Sequence, residues 1–136
     1  MKLLHIPIIT LSLILISGCA TKGYYSAGSS LSQFDSDART AVRRGTEEMQ
    51  AQARQAIEDA KYQDYQNPGA AQLGAGVAWM MMAKPTVDAN TKQHLGFMGW
   101  SLVDPATVPE CYGYKLVGSL SDGYYPETFI VRDVKN

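Results

Sequence analysis

The chain has 136 residues, 12 of them basic and 13 acidic, with a formal charge of −1 and two cysteines. So even a balance leaves no basic stripe to neutralise phosphates, which removes nucleic acid from the expected partners. The length suits one modest core and is too short for two ordinary domains.

Met1 and Lys2 make a brief cationic start, and an apolar run follows from Leu3 to Ile16, interrupted by His5 and Pro7. Its 14 residues fall short of the roughly 20 that a spanning helix needs and match a signal peptide instead. The run closes on Ile16-Ser17-Gly18-Cys19. These four residues resemble the lipobox of bacterial lipoprotein precursors: an aliphatic residue, two small ones, then the cysteine that carries the lipid. The resemblance implies cleavage between Gly18 and Cys19, a diacylglyceryl group on the Cys19 sulfur and usually an acyl chain on its new amine. Each buried methylene contributes about 0.8 kcal/mol, so two or three chains tie a small protein to a membrane almost permanently. Ala20, in place of the aspartate that often retains such proteins at the inner membrane, is similar to outer-membrane members of the class. Residues 1–18 hold one lysine and no acid, so the remaining 118 residues would carry 11 basic and 13 acidic side chains.

Residues 19–30, rich in glycine, serine and alanine, read as a lipidated flexible tether ahead of a single domain at 31–136. Tyr24 and Tyr25 suit either the headgroup layer or a contact with the domain. A long helix is expected over Leu31 to Tyr65, with Ser30 and Gln33 spaced as a capping box. Its small and apolar stripe is Ala38, Val42, Gly45, Met49, Ala53, Ala56 and Ala60, a helical period that permits close approach of another backbone. Charged residues cover the other faces, and Asn67-Pro68-Gly69 is expected to end the helix.

Gly69 to Ala83 carries no charge and ends in Trp79, Met80, Met81 and Met82. Its glycines favour a short buried helix packed on the long one; the adaptable methionines also suit contact with a membrane or a protein partner. After Lys84-Pro85, Thr86 to His94 reads as a loop or one short helix. Strands are expected at 95–103, 112–120 and 128–134, the last two joined through Ser121-Asp122-Gly123. Pro126 limits how early the last strand can start. The fold expected is α+β: one long N-terminal helix, a short apolar helix and a small three-stranded antiparallel sheet.

Catalytic chemistry is thin. The expected mature chain holds one histidine, His94, and one unlipidated cysteine, Cys111, with no CxxC, HExxH, GxSxG or phosphate-loop spacing. Cys111 is expected to be a buried thiol; an intermolecular disulfide or a nucleophile activated by His94 are the alternatives. Adjacent acids, Glu47 with Glu48 and Glu58 with Asp59, point to different sides of a helix and converge on nothing. No cofactor, metal or small-molecule substrate is suggested. The expectation is a non-catalytic outer-membrane lipoprotein whose domain faces the periplasm and binds other envelope proteins. Alternatives are a pilotin-like accessory lipoprotein of a secretion, pilus or conjugation machine, and a small cysteine-dependent enzyme.

Overall fold

The computed structural model describes residues 22–132. Two antiparallel helices, α1 (Leu31–Ala60) and α2 (Pro68–Phe97), cover one face of a four-stranded antiparallel sheet. The strands are β1 (Gly23–Tyr25), β2 (Ser101–Val103), β3 (Cys111–Ser119) and β4 (Gly123–Val131), in spatial order β2-β1-β3-β4. The α+β class matches expectation; the helices and strands differ in extent and number.

Helix α1 starts where its cap predicts. The Ser30 side chain accepts from the Gln33 N–H at 3.2 Å, satisfying one of the donors that a helix start leaves unpaired. It stops at Ala60, five residues short of the expected end. Asn67-Pro68 then opens the second helix: Asn67 Oδ1 accepts from Ala70 N–H at 3.3 Å, and Pro68 sits in the first turn, where its missing donor costs nothing.

Helix α2 overturns the short apolar helix. It runs 30 residues, straight through Pro85 and the polar stretch read as a loop or one short helix. Pro85 cannot donate to the carbonyl of Met81, but Met81 is 80% exposed, so water can replace the lost partner. Its buried residues are Ala83, Val87, Thr91 and Leu95, one face at steps of four. The hydroxyl of Thr91 is absorbed by Val87 O at 2.7 Å, which lets a polar residue sit fully buried.

The α1 stripe packs where its small residues allow. A Cβ on Gly45 would lie 3.1 Å from both Val87 O and Asn90 Cβ, and Asn90 Nδ2 donates to Gly45 O at 3.1 Å. The partner of Gly45 is thus the segment 87–91 of α2, not the apolar stretch 69–83. Gly45→Leu should destabilise the fold by about 1–3 kcal/mol through overpacking. Equilibrium denaturation would read it; a gain in stability, as leucine would give at an open helical position, would count against the close contact.

Residues 23–25, expected within a tether, form an inner strand. Tyr24 is buried, opposite Leu102 of β2 and Tyr112 of β3. The expected strand at 95–103 keeps only Ser101–Val103, because Leu95 to Phe97 finish α2. Strand β4 begins at Gly123, before Pro126, and takes Pro126 into its ladder opposite Leu116. That is tolerable because β4 is an edge strand, where a missing N–H need not break a pair. Gly123, at φ +92°, makes the backward turn that the Ser121-Asp122-Gly123 hairpin predicts.

The core is two connected clusters. Tyr24, Phe34, Ala38, Ala41, Leu95, Trp100 and Tyr112 form one; Val42, Met49, Ala83, Val87 and Leu116, edged by Trp79 and Tyr124, form the other. Tyr114 joins them. Its hydroxyl donates to Asp88 Oδ1 at 2.7 Å, and Asp88 Oδ2 pairs with Lys92 at 2.9 Å. Burial, then the bond to Asp88, raises the Tyr114 phenol above its usual range; burial and Asp88 raise Tyr24 as well. A raised folded-state value means the stabilisation is complete below the unfolded tyrosine value of about 10 and is lost as pH climbs beyond it. The melting temperature should therefore fall steeply above about pH 10, and Tyr114→Phe should make that fall shallower. An unchanged alkaline slope in the variant would refute the assignment.

Candidate functional site

The helices outreach the sheet. The β3–β4 hairpin ends at Leu120, which meets the helices beside Met49, Trp79 and Met80. Beyond that level the remaining turns of α1 and α2 form a two-helix arm, about 20 Å long at 1.5 Å per residue. The arm is held together by small residues: Ala60 is buried, and Ile57 Cδ1 would be 3.8 Å from a Cβ on Gly76.

The two helices of the arm differ in kind. Arg54, Glu58, Asp59 and Lys61 lie on or just after the α1 half, whereas residues 68–83 of α2 hold no charge. Leu73 is 72% exposed, Val77 49%, Met80 63% and Met82 56%. Among the four expected contact residues, Met80, Met81 and Met82 are exposed and Trp79 is half-buried against the second core cluster. The buried-helix expectation for Gly69 to Ala83 holds for one side only: Ala71, Ala75, Gly76 and Trp79 are half-buried, Gly76 facing Ile57 of the long helix, while Ala83 alone is fully buried and the other side is bare. An apolar groove of about 380 Å³ opens beside Trp79 and Met80, walled by Met49, Ala53, Ile57 and Leu120.

One stripe explains both burial and exposure. Leu73, Val77, Met81, Lys84, Asp88, Thr91 and Leu95 follow one another at steps of four, four, three, four, three and four, which is a single face of α2. At the lower end the sheet covers it: Leu95 packs with Tyr24 and Tyr112, and Asp88 takes the Tyr114 hydroxyl. At the upper end there is no sheet, and the same face is bare. Leu73 and Val77 belong to this surface and were not among the expected contacts; their four-residue spacing from Met81 is the signal that would have found them.

Cys111 is a free, buried thiol. Its Sγ lies 3.9 Å from Val131 O, and a Cβ on Gly23 would overlap it. Burial, with Asp104 and Glu110 nearby, raises its pKa, the opposite of what an activated nucleophile needs. His94 Nε2 bonds Glu48 Oε1 at 2.7 Å across the helices, so the two residues are engaged in separate contacts. Among the described residues no three His, Cys, Asp or Glu side chains gather as metal ligands, and no helix is long and apolar enough to cross a membrane. Gly18 and Cys19, the expected cleavage and lipidation sites, lie outside the described residues. No family model, curated protein or solved structure matches the chain.

Proposed function

We propose that this protein is an outer-membrane lipoprotein, anchored through lipid on Cys19, that acts without catalysis as a structural or interaction component of the cell envelope, its domain facing the periplasm. The observation that carries the contact role is the arm: an uncharged helical end projecting from a well-packed base, its large apolar side chains in solvent. Exposed contiguous apolar surface of this kind marks a site of association in soluble domains. The anchor is supported by Ile16-Ser17-Gly18-Cys19 and the short apolar run before it.

Mass spectrometry of the protein extracted from membranes is the test. The expected species begins at Cys19 and carries diacylglyceryl and acyl mass; Cys19→Ser should accumulate as a precursor retaining residues 1–18. An intact Met1 terminus, or an unmodified Cys19 in the wild type, would sink the anchoring half of the proposal.

A further inference from the structure

We infer that the bare face of the α2 arm, centred on Leu73, Val77, Met80 and Met81, docks on the surface of the bilayer that holds the lipid of Cys19. The inference rests on the proposed anchor. Its own support is where the chain leaves the domain.

Strand β1 is antiparallel to β3, with Tyr24 opposite Tyr112. β3 runs from the level of Phe34, which stacks on Tyr112, towards Leu116, packed with Val42 and Met49. Followed backwards from Tyr24, β1 therefore heads along the sheet towards the arm. The helix alongside is α2: Lys22 and Tyr24 both line a cleft with Asp88 and Lys92, which lie one to two turns nearer the arm than Leu95. Asp88 belongs to the stripe that becomes Met81, Val77 and Leu73. The chain thus leaves on the bare face's own side of the molecule.

The reach is short. Asp88 and Lys92, which share the cleft with Lys22, lie about 10 to 16 Å along the helix axis from Met81 at 1.5 Å per residue. Three residue-to-residue steps lead from Lys22 back to Cys19, and a fully extended chain spans at most about 3.5 Å for each, or roughly 10 Å. Lipid on Cys19 would hold the membrane surface close under the overhang, where α2 brings no charge from 68 to 83. The charged α1 half of the arm would remain in water. At the tip Tyr62 and Tyr65 are exposed, and such amphipathic rings favour the headgroup layer. Lys84, next on the stripe below Met81, is placed to meet lipid phosphate.

The test uses the full chain purified from membranes and reconstituted in phosphatidylethanolamine and phosphatidylglycerol vesicles. A single cysteine, Met81→Cys, carries an environment-sensitive nitrobenzoxadiazole, and Gln52→Cys on exposed α1 serves as reference; Cys111, buried, should not react. The label at 81 should shift to the blue and be quenched several-fold by lipids bearing an acyl-chain nitroxide, while the label at 52 stays water-like. A water-like signal at 81 with Cys19 shown to be lipidated overturns the docking and leaves the anchor standing. A blue shift that grows with protein density, or appears only on adding envelope protein, without lipid quenching, also overturns it, in favour of a second copy or a protein partner. Should Cys19 prove unlipidated, the label at 81 in a Cys19→Ser chain mixed with excess vesicles decides: a quenched blue shift keeps the docking, and its absence ends it.

Discussion

Phe34→Ala should cost about 3–5 kcal/mol, the range for emptying a fully buried aromatic site. Phe34 is completely buried at the meeting point of α1 with three strands or their flanks. Its ring stacks on Tyr24 and on Tyr112, both at 5.7 Å between centroids, and meets Trp100 edge-on at 5.0 Å. Aromatic pairs add about 0.5–1.5 kcal/mol each beyond the area they bury. The cavity cannot collapse easily, because its walls are fixed by polar ends: Trp100 Nε1 donates to Asp37 Oδ2 at 2.8 Å, and Tyr112 Oη donates to Glu110 Oε1 at 2.6 Å. A domain of this size has only about 5–15 kcal/mol in total, so the variant should melt far lower or fail to fold. Denaturant unfolding followed by Trp100 emission measures it, and Phe34→Leu should recover most of the loss. A cost below about 1 kcal/mol would be incompatible with a ring at the centre of the core.

The parts legible in the sequence are those fixed by neighbours a few residues away. Ser30 with Gln33 announces a helix start, the four- and three-residue steps from Ala38 to Met49 announce its packed face, and Ser121 to Gly123 announces the hairpin. Each is decided by local geometry that the residues themselves impose. Strand β1 is different. Gly23-Tyr24-Tyr25 has the composition of a tether and becomes a strand only because Tyr112, 88 residues later, lies beside it. The requirement for glycine at 23 comes from the Cys111 side chain, which a Cβ would overlap, and nothing near residue 23 reveals it.

Helix α2 misleads in a more instructive way. Hydrophobicity along the chain points to residues 69–83 as core and to 86–94 as surface, whereas the fold buries Val87 and Thr91 in the second segment and leaves one side of the first bare. Burial follows from where the sheet lies, and the sheet covers the Val87, Thr91 and Leu95 end. Thr91 conceals the apolar period, since its hydroxyl reads as polar until Val87 O is found to satisfy it. Pro85 conceals the continuity of the helix. The apolar end is left outside, and a stretch without charge that the fold does not use is the feature most in need of a partner.

The boundary between base and arm can be measured with two substitutions two residues apart. Ala83→Asp should abolish folding at neutral pH, whereas Met81→Asp should leave stability within about 1 kcal/mol of wild type. Ala83 is wholly buried between Val42, Met49 and Val87, with no cation among the side chains of its cluster. A carboxyl there must stay protonated to stay inside. Holding it neutral at pH 7 against an unfolded value of about 3.9 costs roughly 4 kcal/mol at 1.36 kcal/mol per unit, before any steric term. The sign follows from that raised value: stability is greatest below the unfolded pKa and falls as pH rises, so Ala83→Asp should regain structure near pH 4. Met81 is 80% exposed, and a charge there remains hydrated. If the bare face is a contact surface, Met81→Asp should keep the wild-type circular dichroism and melting curve while weakening association with membranes or partners. Comparable destabilisation by both changes would place residue 81 inside the core and remove the arm as the site of contact.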